Sequence, residues 1–202
     1  KKWIVKEPGN PAIVRQLAQE LGIDQVLANL LVQRGITTYE EAMEFFRPDL
    51  SMLHDPFLML DMEKAVARIH QAVEKGERIL IYGDYDVDGT TAVALMYTFL
   101  SQVTNNLEYY IPDRYDEGYG VSYKGIDWAV KKSCSLIICL DCGIKAIEKV
   151  KYAADRGIDF IICDHHLPDT ELPPAVAVLD PKRTDSTYPF DDLSGCGVGF
   201  KL

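Results

Sequence analysis

Long hydrophobic runs are the first thing this sequence lacks: stretches such as residues 136–140 stop far short of the ~20 residues that cross a bilayer. The lysines at the start lead into no apolar stretch of signal-peptide type, so no membrane is expected and the expected compartment is the cytoplasm. Cysteine is sparse and odd in number, five in 202 residues, which suits reduced thiols better than a disulfide framework. Cys134, Cys139 and Cys163 sit in or beside apolar runs, where a thiol packs as a small hydrophobe. Cys139 and Cys142 form one CxxC, but a zinc ribbon needs a second pair and the chain has none. Positive charge is also short, with 21 basic against 31 acidic residues and a formal charge of −10. That balance argues against a free-standing nucleic-acid-binding module, whose affinity rests mainly on neutralised phosphates. Internal repeats and low-complexity tracts are missing too.

What remains is an ordinary globular composition, 48% hydrophobic and 26% charged, long enough to bury a sizeable core. Residues 1–76 read as a helical preface, with apolar residues at three-and-four spacing over 11–21 and 25–34. Its last helix has Asp61 as N-cap, Met62, Ala65, Val66, Ile69 and Val73 on one face, and a stop near Gly76. From residue 77 the pattern changes to short apolar runs at 79–82, 107–111, 136–140, 159–163 and 175–179. Amphipathic segments at 90–100, 123–132 and 144–156 alternate with them, as in a parallel sheet buried on both faces. The expected fold is α/β: a doubly wound, mainly parallel five-stranded sheet flanked by helices over residues 77–202, behind the helical N-terminal preface.

Three of those runs end in the same chemistry. Asp84, Asp86, Asp88 and Gly89 follow the first, Asp141 and Gly143 the third, and Asp164, His165 and His166 the fourth. In an open parallel sheet these C-terminal strand ends share one edge, where ligands bind. So many carboxylates cannot all stay ionised at close range without a cation. Carboxylate mixed with imidazole suits Mn²⁺ or Mg²⁺, and the absence of clustered thiolates argues against a soft metal. The number of ligands favours two ions, which about 4 Å apart would clamp a phosphoryl group and lower the pKa of a bridging water. Gly89 and Gly143 each close an acidic loop before a helix, where backbone can approach substrate and a helix N-terminus favours phosphate. Taken singly, Asp88, Asp141 or Asp164 would be a cap or turn residue; three such turns at equivalent strand ends say more. An EF-hand fails because its twelfth position is Leu95 and a strand leads into the loop. Adjacent His165 and His166 point in different directions, which assigns one imidazole to metal and the other to the scissile phosphate. Asp164 then orients a ring.

YGDYDVDG at 82–89, DCG at 141–143 and DHH at 164–166 together resemble the first three motifs of the DHH phosphoesterase superfamily. Within it the resemblance is to the single-strand-specific 5′ to 3′ exonucleases. It extends to DPF at 55–57, residues 111–114, EGYG at 117–120 and Pro181, Lys182 and Arg183. The resemblance implies Asp84, Asp86, Asp88, Asp141 and His165 as metal ligands, His166 addressing substrate with support from Asp164, and Arg114 near a 5′ phosphate. The implied activity is hydrolysis of phosphodiester bonds in single-stranded DNA, for recombination and repair, with Mn²⁺ or Mg²⁺ as cofactor. Single-stranded DNA is then a partner, and a helicase or single-strand-binding protein is a further one. A nanoRNase, a cyclic-dinucleotide phosphodiesterase or a manganese pyrophosphatase is disfavoured by the helical preface and by Tyr82, where those relatives carry His. A non-catalytic DHH-like binding module is disfavoured because no ligand of the first three motifs is missing. The pattern departs at Asp180, where relatives usually carry Asn, and at Cys196 and Gly199 in the Gly-rich segment; neither departure bears on the metal argument. A fourth motif and a second catalytic domain are expected beyond Leu202, so the phosphoesterase domain is read as truncated and weakly active by itself.

Overall fold

The computed structural model describes residues 2–202, which divide into two compact units on either side of residues 53 and 54. In the first unit, α1 (Pro11–Leu21), α2 (Gln25–Val32) and α3 (Tyr39–Phe46) bury Val14, Leu17, Ala28, Leu31 and Ala42 together. Their starts are fixed locally, since Asn10 and Asp24 accept from the backbone of Ala12 and Val26, and Thr38 and Glu41 form a reciprocal capping box.

The second unit runs α4 (Met62–Glu74), β1 (Arg78–Gly83), α5 (Val87–Leu100), β2 (Leu107–Tyr110), α6 (Tyr123–Lys131) and β3 (Cys134–Leu140). It continues through α7 (Ile147–Ala154), β4 (Asp159–Cys163), β5 (Ala177–Leu179) and α8 (Gly195–Lys201). The strands lie in the order β2-β1-β3-β4-β5 and every pairing is parallel, which is the doubly wound sheet the sequence predicts. Side chains alternate across it. Ile79 and Ile81 join Ile69, Val93 and Val198 from α4, α5 and α8, while Leu80 and Tyr82 join Ile126 and Val150 from α6 and α7. Both faces are dry, so the strands read as unbroken apolar runs rather than as an alternation. Each buried Ile or Leu contributes about 1.5–3 kcal/mol, and this burial holds the strand ends in place. The chain goes from β1 outward to β2 and returns past β1 to β3. The order therefore reverses between β1 and β3, and their C-terminal ends open a crevice.

Several boundaries differ from the sequence reading. The division falls at 53/54 rather than 76/77, because Met62, Ala65 and Ile69 of α4 pack into the sheet's core. Asp61 does not cap α4 with its side chain: its φ is 64°, and its carboxylate accepts from Arg183 Nη1 at 2.8 Å and Val178 N at 3.3 Å. Helix α5 begins at Val87 instead of 90 because Asp86 is its cap, accepting from Gly89 N at 2.9 Å. Among the described residues no helix is long and apolar enough to cross a membrane.

Candidate metal centre

The end of β1 delivers Asp84, which is 1% exposed. Gly120 N donates to its Oδ1 at 3.3 Å, and its Oδ2 has no partner. The EGYG segment places that donor: Glu117 accepts from Asp113 N at 2.9 Å, from the Tyr110 hydroxyl at 3.0 Å and from the Ser122 hydroxyl. Gly89 lets the loop close this tightly, for a Cβ there would lie 2.4 Å from the Asp84 carbonyl oxygen. Exposed Asp86 stands at the mouth. Asp88 also reaches the start of α8, its two oxygens accepting from Gly195 N and Cys196 N, each at 2.7 Å.

At the end of β3, Asp141 is buried with φ 60°, and its N–H donates to Cys163 O of β4 at 2.8 Å. His165 Nε2 stands 3.2 Å from Asp141 Oδ1 and 3.8 Å from Asp88 Oδ2. The nearer contact lacks the alignment of a hydrogen bond, which leaves Asp141 Oδ1 unpartnered. Burial, followed by the charges of Asp88, Asp86 and Asp164, pushes the Asp141 carboxyl up to about 8. Asp164 goes the other way. Its burial works upward, but hydrogen bonds from the His166 ring, Ile144 N and His165 N outweigh it and hold the carboxyl below the usual range. An ionised carboxylate only accepts, so His166 Nδ1, 2.7 Å from Asp164 Oδ1, carries a proton, and the bond raises the imidazole's pKa. The Tyr119 hydroxyl lies 3.2 Å from the His166 ring nitrogens, and its partial burial, with Asp164 and Asp141 nearby, pushes the phenol's pKa up.

Ligand atoms of Asp84, Asp86 and Asp141 lie within 4.8 Å of one another, and so do those of Asp141, His165 and His166. Asp141 belongs to both groups. The unpartnered oxygens of Asp84 and Asp141 would be costly in a dry site. Hard carboxylate oxygens joined by imidazole are what Mn²⁺ or Mg²⁺ takes, so the residues present fit a divalent metal.

The DHH family, N-terminal domain, matches residues 78–202. The chain belongs to the DHH family. It is 41% identical over 201 residues to the single-stranded-DNA-specific exonuclease RecJ of Bacillus subtilis, covering 100% of this chain and 25% of that protein. A crystal structure of exonuclease RecJ bound to manganese is similar with TM-score 0.65 and 30% identity, over 71% of this chain and 36% of the other. RecJ of Thermus thermophilus in complex with Mn²⁺ shares the fold with TM-score 0.73 at 24% identity, over 97% of this chain and 27% of the other. The chain thus spans 25% of the length of the Bacillus subtilis relative.

Within this DHH domain the expected residues do not all play parallel parts. Asp84, Asp86, Asp141, His165 and His166 converge, and the Asp88 carboxylate, 3.8 Å from His165 Nε2, also accepts two backbone N–H groups of α8. Gly89 is buried and its N–H is taken by Asp86, so it shapes the loop instead of meeting substrate. Gly143, at φ 112°, lines a cleft beside the DHH residues. Arg114 is exposed, with its guanidinium over the Tyr85 ring at 5.2 Å. Gly195 escaped the sequence reading: a Cβ there would fall 2.3 Å from Asp141 Oδ1. The Gly-rich segment therefore abuts the site, Cys196 through its backbone N–H on Asp88. Its available signal was Ser194 followed by alternating glycines, a capped helix start.

Asp180, just past β5, is 1% exposed, with Oδ1 accepting from Lys182 N at 2.8 Å and Oδ2 unpartnered. Burial, with Asp164 adding to it, pushes its carboxyl up to about 7. An unfolded Asp titrates near ~3.9, so between these values the folded state holds the extra proton and stability falls as pH rises. Asp180→Asn should therefore melt above the parent at pH 8, with the difference shrinking towards pH 4. Parallel melting curves across that range, with chelator present, check this; an equal offset at every pH would contradict it.

Proposed function

We propose that this chain carries the metal centre of a phosphodiesterase that removes nucleotides from the 5′ end of single-stranded DNA in recombination and repair, with residues 54–202 contributing to its catalytic domain. The observation that carries the reading is Asp141, a buried carboxylate common to two metal-ligand groups built from three strand ends. Sequence similarity to RecJ exonucleases over the chain's length supports the choice of substrate. Asp84, Asp86, Asp88, Asp141 and His165 would hold two Mn²⁺ or Mg²⁺ ions, with Asp88 also tethering α8. When bound, such ions supply Lewis acidity, activating water and offsetting charge on the phosphate. His166 keeps Nδ1–H on Asp164 and turns Nε2 to the scissile phosphate, where it stabilises charge or donates a proton. Arg114 reaches towards the terminal phosphate. The reaction belongs in the cytoplasm, beside a helicase or single-strand-binding protein that supplies the strand.

The test offers the full-length protein 5′-labelled single-stranded DNA, duplex DNA, dinucleotides and pyrophosphate with Mn²⁺ or Mg²⁺. Long single strands should be degraded fastest, and preference for any other substrate overturns the proposal. In the same assay His166→Ala should lower kcat roughly 10²- to 10⁴-fold, the scale of a lost general acid. Calorimetric Mn²⁺ titration should find its ion occupancy unchanged. Loss of occupancy together with turnover would make His166 a ligand instead.

A further inference from the structure

Beside the metal centre lies a cleft of about 600 Å³, with Tyr119 and Ile144 among its lining residues, His166 on the side of the ligands, and Lys145, Lys149 and Lys182 also facing in. Sites for small ligands occupy roughly 300–1,000 Å³, so it has room for part of a nucleotide chain. In a chain of net charge −10, three ammonium groups at one cleft next to a carboxylate cluster call for an explanation. Intramolecular pairing supplies only part of it. Lys145 meets Asp169 at 3.2 Å with both side chains exposed, an arrangement worth little in water. Lys149 and Lys182 pair with no carboxylate among the described residues. The Lys182 charge is close enough to His166 to oppose its protonation. Tyr119, 53% exposed, gives a sugar or base an aromatic face.

We propose that Lys145, Lys149 and Lys182 form a phosphate track that grips a backbone phosphate adjacent to the one being cleaved, without regard to sequence. Lysine suits this task, since its ammonium is a compact charge that imposes no bidentate geometry. The inference rests on the single-strand reading above, and it makes the three lysines positioning residues with no part in the bond cleavage.

The experiment measures equilibrium binding of a fluorescent single-stranded oligonucleotide to the full-length protein over a range of salt, with chelator to stop turnover, and KM and kcat with Mn²⁺. For single strands the slope of log K against log[salt] is about −0.7 per neutralised phosphate. Lys149→Gln and Lys182→Gln should each make the slope shallower by about that amount. Each should raise KM roughly 5- to 10-fold, the scale of one solvent-accessible polar contact, with kcat within about twofold, and Lys149→Arg should restore KM. Lys151→Gln, on the same helix but outside the cleft, should leave the slope alone. An unchanged slope in both cleft variants overturns the track, and so does an equal change in Lys151→Gln. If the parent binds single strands and the cleft variants flatten the slope, yet no single strand is hydrolysed, the track stands and the assigned reaction falls. If the parent binds no single strand, both fall.

Discussion

Asp141→Asn should abolish metal-dependent turnover, lowering it by about 10³-fold or more, while leaving the metal-free protein folded. The side chain keeps its shape, so packing at the end of β3 is preserved, and one charge leaves a crowded cluster. Asp141 already resists ionisation, its carboxyl pushed up to about 8 by burial and by Asp88, Asp86 and Asp164. Neutralising it costs the apo protein little. It does remove the only carboxylate found in both ligand groups, and losing several kcal/mol of transition-state stabilisation is a factor of ~10³ in rate. Two melting curves settle the matter: the parent should gain stability with Mn²⁺, and Asp141→Asn should gain much less. A full Mn²⁺ response in the variant would show that Asp141 is not a ligand.

Gly89→Ala has the second large effect, and here the fold itself suffers. The added Cβ would sit 2.4, 2.7 and 2.8 Å from the carbonyl oxygen, nitrogen and carbonyl carbon of Asp84. All three are backbone atoms, so no side chain can swing aside. Overpacking costs typically ~1–3 kcal/mol, and a loop with no escape belongs at the top of that range. For a chain of this size each kcal/mol lowers Tm by roughly 2–4 °C, so a fall of about 6–12 °C is expected. Displacing Asp84 should also weaken Mn²⁺ binding, roughly 10- to 100-fold if ligand support behaves as it does elsewhere. Melting within a degree of the parent, with unchanged Mn²⁺ affinity, would mean that the loop yields without strain.

The strands were legible because burial on both faces leaves apolar runs that need no long-range information. Ile79, Ile81, Leu80 and Tyr82 pack into two different cores, and either partnership demands an apolar residue. The convergence of Asp84, Asp141 and His165 was legible for a related reason: parallel strands put like ends on one edge. What could not be read were partnerships across the chain. Asp61 has the local look of a cap, yet Arg183 claims it from 122 residues away. Asp88 reads as a ligand alone, and its second task, accepting from Gly195 N 107 residues away, has no local signature. Lys145 and Lys149 carry no local pattern beyond helical spacing, and only the fold sets them beside Lys182 and His166.

The topology of the sheet also governs how fast the centre comes into being. β1 and β3 are neighbours only after the chain has travelled out through β2 and back, and no hairpin offers a local shortcut to that pairing. Parallel pairings of this kind carry a loop-closure cost before they return any burial. Ligand groups drawn from β1, β3 and β4 are thus complete only once the non-local steps are over. Interactions that form after the rate-limiting barrier slow unfolding and leave the folding rate nearly unchanged. Divalent ions should therefore lengthen the lifetime of the native state without hastening its formation, so that a cell short of manganese or magnesium would fold this protein at its usual pace and lose it sooner.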